Sequence, residues 1–197
     1  LVLPLVLGWG LPAAEPCFGT SAGAVEGMIQ SLDPSLASPL ARLWSARLLV
    51  QLSANFVLYY LYLYASDLVA SDPAWSGRNP SSDIAMLSFP GALAAIAGAV
   101  ASGSVSDKLG RRLPLVTAAF LLAMALFLLA AGSSPLVVAI AFTLFQLGFA
   151  AYIGIDTAWV AGLVAPHSAR GALLGLMNLT NTLPSIIAPL MALQTLE

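Results

Sequence analysis

Gly103-Ser-Val-Ser-Asp-Lys-Leu-Gly-Arg-Arg112 gathers four charged side chains, Asp107, Lys108, Arg111 and Arg112, into six residues of a chain in which only 8% of residues are charged. Ile84 to Ser102 upstream and Leu113 to Ile155 downstream carry no charge at all. The first run matches, and the second exceeds, the ~20 apolar residues that a helix needs to cross a bilayer. The charged decapeptide therefore reads as a short basic turn between two membrane spans.

Composition supports a membrane chain. Of 197 residues, 59% are hydrophobic, and the mean hydropathy is +0.92. A soluble domain carries roughly 25% charged residues, so the polar side chains here are too few to cover a water-facing surface. The net charge of −2 argues against a nucleic-acid partner, because phosphate binding needs clustered Lys and Arg. Cys17 is the only cysteine, which excludes an internal disulfide.

Working outward from the turn gives five spans, at about 40–65, 84–105, 113–131, 136–164 and 169–193. Leu1 to Ala13 is apolar but too short to cross, and reads as the end of a truncated helix. No Lys or Arg precedes it, so a secretory signal peptide is a poor fit. Residues 14–39, rich in Gly, Ser and Pro, form a linker. Ser66 to Asp83 is a loop, and Gly132-Ser-Ser-Pro135 is a tight turn. With alternating spans, Arg42, Arg47, Lys108, Arg111, Arg112 and Arg170 fall on one side and only Arg78 on the other. That bias places the basic side in the cytoplasm.

Polar residues inside spans are costly unless they face protein or a wet cavity. Arg47, Gln51, Asn55 and Tyr59 recur every four residues in the first span, which makes one slowly drifting stripe. Gln146 lies in the fourth span, with Thr143 and Thr157 on the same face. Asn178, Asn181, Thr182 and Ser185 share a sector of the fifth. The first, fourth and fifth spans are thus expected to surround an aqueous path lined by Gln51, Asn55, Tyr59, Gln146, Asn178 and Asn181. Interhelical hydrogen bonding is the other reading of the same residues, and Arg47, near the cytoplasmic end, can simply snorkel. Asp156 is the one carboxylate well inside a span. It reads either as a proton or cation coupling group, or as one half of an ion pair with Arg111 or Arg112.

Enzyme signatures are weak. Gly19-Thr-Ser-Ala-Gly23 matches a nucleophile elbow, but it sits in a polar linker with no β pattern beside it, and that elbow works only between a strand and a helix. An intramembrane pairing of Ser21 with His167 fails because neither lies in an apolar span. No spacing suggests a metal, and no phosphate-binding loop suggests ATP. No cofactor and no catalysis are expected.

The pattern Gly103-x-x-x-Asp107-Lys108-x-Gly110-Arg111-Arg112 resembles the signature loop of the major facilitator superfamily of transporters. Ser106 before the Asp and Pro114 after the basic pair depart from the usual form without removing a charge. The run from Ile155 through Arg170 to Pro189 is similar to the tenth and eleventh helices of bacterial members near the sugar–cation symporters. The resemblance implies an all-α integral membrane protein of five transmembrane helices plus a partial one, the carboxy-terminal half of that fold. The chain, which lacks an initiator Met, would be a fragment. Its missing amino-terminal half and the lipid bilayer would be its partners, the bacterial cytoplasmic membrane its location.

The implied activity is secondary transport by alternating access. The passenger would be a small polar solute, a sugar fitting the amide and hydroxyl lining, with a proton or sodium ion as coupling partner. An exporter of amphiphilic drugs and a non-transporting helical membrane protein are the alternatives. In the signature loop, Asp107 would sit against a helix N-terminus, where the helix dipole favours negative charge. Lys108, Arg111 and Arg112 would bridge helix ends or lipid heads. Gly103 and Gly110 would leave room for a sharp turn and close helix approach.

Overall fold

A computed structural model describes residues 34–165 and 170–195. The expected stub at 1–13, the linker through residue 33, and Ser21 and His167 lie outside them. The described residues form five long helices: α1 Pro34–Ser71, α2 Pro80–Leu109, α3 Arg112–Ala131, α4 Pro135–Val164 and α5 Arg170–Thr195, with one 3-10 turn at Pro73–Trp75. They contain no strand. All five are long and apolar enough to cross a membrane.

The helices outrun the expected spans. α1 has 38 residues, about 57 Å at helical rise, against a hydrocarbon layer of about 30 Å. The expected loop of Ser66–Asp83 shrinks to residues 72–79, and the last six residues assigned to the linker are already helical. Hydropathy marks where a helix leaves lipid, not where it ends. The ends are set by backbone chemistry. Asn79 and Ser134 cap α2 and α4 by accepting from the N–H groups of Ser81 and Val137, each with Pro in the first turn. Such caps satisfy donors that have no intrahelical partner, and Pro there gives up no hydrogen bond. Asp72 caps the Pro73–Trp75 turn from the Ala74 N–H at 2.8 Å. This bond, with a second from Ser133, holds the Asp72 carboxyl below its ordinary range. The turn's contribution is therefore complete above the usual carboxylate pKa and is lost as pH falls through the lowered value.

Contacts fix the direction of each helix. α3 and α4 form an antiparallel hairpin: Gly132 abuts Val137 at the turn, Gly148 abuts Ala118 and Leu122, and Gly162 abuts Arg111. α2 runs parallel to α4, with Gly91 against Phe142 and Gln146, Gly98 against Leu147, and Ser102 against Gly154. α1 runs parallel to α5. Trp44 donates to Leu176 O at 3.0 Å and Tyr60 to Ala188 O at 3.5 Å. The basic residues of α1 and of the α2–α3 turn consequently share one end of the bundle with the start of α5.

α4 is the central helix, and buries Phe142, Phe145, Tyr152, Ile155 and Val160. Large apolar side chains point outward instead on its neighbours, among them Met86, Phe89, Ile96, Phe120 and Phe127. Lipid tails are as apolar as these side chains, so helix association rests on close packing and interhelical hydrogen bonds. The glycines facing α4 supply the first. At the opposite end from the basic residues, Tyr64 supplies the second, donating to the carbonyls of Leu129 (2.7 Å) and Gly132 (3.1 Å). Trp75, buried with Leu68 and Val138, donates its indole N–H to Ser133 O. Arg78 lies over the Trp75 ring and pairs with Asp83 at 3.2 Å.

Candidate functional site

The polar residues of α1, α4 and α5 converge on one buried cluster. Arg47 Nη1 donates to Asp156 Oδ2 at 2.9 Å. Asp156 is 0% exposed and Arg47 8%. One turn further along α1, Gln51 Nε2 donates to Asn181 Oδ1 at 2.7 Å, and the same oxygen accepts a longer 3.5 Å contact from Arg47 Nη2. Asn181 Nδ2 in turn donates to Asn178 Oδ1 at 2.8 Å. A continuous chain of donors and acceptors thus runs Asp156–Arg47–Asn181–Asn178, with Gln51 joining at Asn181.

Two expectations are corrected here. Asp156 does not pair with Arg111 or Arg112. Arg111 is committed elsewhere, its Nη1 donating to Ala158 O at 2.7 Å, and Arg112 is exposed. Arg47 does not snorkel to the interface but turns inward onto Asp156. Desolvating either charge alone is expensive, and pairing offsets much of that cost.

The α1 stripe divides along its length. Residues four apart advance by about 40° around a helix, so Tyr59 lies about 120° from Arg47. Arg47 and Gln51 reach α4 and α5. Asn55 Nδ2 turns back on the Gln51 carbonyl of its own helix at 2.8 Å, and Tyr59 is 54% exposed. Gln146, half-buried, packs beside Gly91 of α2 and away from the cluster. Asn178 is exposed at the end of the hydrogen-bonded chain. Next to the cluster a recess of about 520 Å³ is bounded by Arg47, Thr157, Val160, Leu174, Met177 and Asn178.

Some of the cluster's capacity is unspent. Arg47 Nε, Asp156 Oδ1 and the Tyr152 hydroxyl are buried without a hydrogen-bond partner among the described residues. Tyr152 precedes Asp156 by one turn on the same helix, and sequence reading passed over it. Buried polar atoms are rarely left unpaired, and a donor, an acceptor and a hydroxyl that does both can be satisfied together by water. The only signal available in sequence was its i, i+4 spacing from a carboxylate.

The signature segment is mostly helix rather than loop. α2 continues through Leu109, which places Asp107 and Lys108 on its last turn. Gly110 ends the helix with φ 76°, in the left-handed region that glycine adopts freely. Asp107 is exposed at the C-terminal end of its own helix, not at a helix N-terminus, so the expected dipole contact is absent among the described residues. Gly103 lies mid-helix with nothing within 4 Å of where a Cβ would stand, so it makes no close helix approach. Gly162 instead makes room for a side chain: a Cβ there would lie 2.6 Å from Arg111 Nη1. Its absence gives the guanidinium a seat on the last turns of α4, where a cation complements the exposed carbonyls.

Five membrane-length helices, a buried ion pair joining two of them and the basic turn between α2 and α3 suit a protein that works within a bilayer. No curated protein and no solved structure matches the chain. The family model described as Major Facilitator Superfamily matches residues 2–189. With a match over nearly its whole length, the chain belongs to the Major Facilitator Superfamily, a family of membrane transporters.

Proposed function

We propose that the chain is the carboxy-terminal half of a secondary carrier. It moves a small polar solute, a sugar or similar polyol, by alternating access, and its basic end faces the cytoplasm. The observation that carries this reading is the hydrogen-bonded chain from Asp156 to Asn178 across α1, α4 and α5. Its outer members are amides. Among the described residues the Gln51 side-chain carbonyl oxygen and the Asn178 amide hydrogens have no partner, and they form the complementary set that solute hydroxyls engage. Asn55, Tyr59 and Gln146 would complete the lining from faces of α1 and α4 that turn away from the cluster, and so would act with the amino-terminal half. Arg47–Asp156 fixes the position of α1, and a coupling proton or sodium ion would act at this carboxylate.

The test is uptake into liposomes by the whole transporter, against a panel of sugars, with and without a proton or sodium gradient. Solute-specific uptake is expected. Loss of one neutral hydrogen bond is worth about 1 kcal/mol, so Asn178→Leu should raise the KM for the accepted solute about fivefold or more. A flat response across the panel, or an unchanged KM in Asn178→Leu, would remove the polyol reading. Orientation is checked separately in a Cys17→Ser background. A cysteine at position 108 should react with an impermeant maleimide only from the cytoplasmic side, and one at 78 only from the other. Equal labelling from one side would overturn the topology.

A further inference from the structure

The α2–α3 side of the bundle carries a feature that solute transport does not use. α2 and α3 both pack along α4 but touch each other lightly, and the space between them is a groove of about 240 Å³. Ala97, Ala101 and Val105 form one wall, Thr117 and Leu121 the other, and Gly148 of α4 lies in the floor. Its two hydroxyls, Ser102 Oγ and Thr117 Oγ1, are spent on the carbonyls of Ala99 and Pro114, each at 2.8 Å, so the lining offers a ligand mainly apolar contact.

The inner end of the groove is cationic. Lys108 lies seven residues beyond Ala101 and eleven beyond Ala97, within about 20° of the same helix face, and one turn past Val105. Arg112 opens α3, two residues before Pro114, which also lines the groove. Lys108 and Arg112 are exposed and make no ion pair among the described residues. Asp107 flanks them, and the turn remains net positive.

We propose that this groove is a binding site for an anionic phospholipid, one acyl chain lying between α2 and α3 and the headgroup phosphate held by Lys108 and Arg112. The juxtaposition selects the occupant. A neutral lipid would fill the groove and leave both cations unmatched, whereas a free anion would use the cations and leave the groove empty. A helix, about 10 Å across with its side chains, is too wide for a space of this volume. Basic pockets between helices on the cytoplasmic side suit anionic headgroups, and the inner-facing position of this turn rests on the orientation proposed above.

The experiment reconstitutes the protein in equimolar phosphatidylglycerol and phosphatidylcholine, extracts it in mild detergent and reads retained lipid by native mass spectrometry. One phosphatidylglycerol per chain should persist, at least tenfold over phosphatidylcholine. Lys108→Gln/Arg112→Gln should abolish that preference. Ala101→Leu fills the groove with both cations intact and should also lose the retained lipid. Ala97→Leu provides the same test independently, and both alanines are exposed, so neither change disturbs helix packing. Equal retention of the two lipids by the unchanged protein would overturn the proposal. So would an undiminished preference in the double cation variant, or retention persisting in both groove-filled variants. Uptake assays report on the solute site alone, so failure here leaves the transport reading standing.

Discussion

Asp156→Leu should destabilise the bundle by about 3–5 kcal/mol, because it leaves the Arg47 guanidinium buried without a counter-charge. The native pair is nearly sealed from solvent, at 8% and 0% exposure. Arg47→Met should cost less than Asp156→Leu. A stranded carboxyl can shed its charge by taking up a proton, whereas a guanidinium stays charged at any accessible pH. The asymmetry carries a sign in pH. In Arg47→Met, lowering pH should recover stability as the lone carboxyl protonates, and Asp156→Leu should show no such recovery from this site. Joining the changes, Arg47→Met/Asp156→Leu removes both charges and should regain most of the loss, since an apolar replacement of a buried pair is often neutral or stabilising. Thermal or chemical unfolding of the four proteins in one detergent gives the coupling energy directly. A double variant no more stable than the worse single change would show that the pair is not what holds α1 to α4. Uptake by the stable double variant then separates two roles. Activity near that of the unchanged protein would mean that the pair only fastens helices. Lost activity at recovered stability would mean that the charges take part in transport.

Much of the architecture was legible because membrane spans announce themselves through uncharged length. The five helices and their alternation follow from the apolar runs and from the grouping of Lys and Arg. Helix ends were less legible. Asp72-Pro73, Asn79-Pro80 and Ser134-Pro135 each combine a capping side chain with Pro at the first position, a signal independent of hydropathy that would have shortened the expected 66–83 loop. Partners across helices were the hardest to read. Sequence singles out Asp156 and Arg47 but offers the carboxylate only Arg111 or Arg112 as an ion-pair partner, because it does not show which helices adjoin. The parallel register of α1 with α5, and the antiparallel approach of α1 to α4, decide that pairing, and both depend on side chains such as Trp44, Arg47 and Leu68 reaching across. For the same reason the drift of the α1 stripe was visible as geometry, while the point at which it leaves the interface, between Gln51 and Tyr59, was not.

Gly98→Val should be the most damaging single-residue change in the α2–α4 contact. A Cβ at Gly98 would collide with the carbonyl oxygen of Leu147 and stand 3.2 Å from its carbonyl carbon and 3.3 Å from its Cα. These are backbone atoms of the central helix, so no rotamer change relieves the clash and the helices must separate. Overpacking of this kind costs about 1–3 kcal/mol or more, and here the separation would also loosen Gly91 from Phe142 and Ser102 from Gly154. Gly98→Ala should show a smaller loss of the same sign. Gly103 supplies the control. Five residues on, it lies about 140° around the helix, with open space where its Cβ would stand. Alanine there adds no clash and improves helix propensity, which favours Ala over Gly by roughly 0.5–1 kcal/mol in a helix interior. Gly103→Ala should therefore unfold at an equal or higher temperature than the unchanged protein, while Gly98→Ala unfolds at a lower one. Equal midpoints for the two alanine variants would refute the close α2–α4 approach. If Gly103→Ala keeps its stability but stops transport, the need for glycine at that position arises outside the five-helix bundle, from a surface that meets α2 only during the transport cycle.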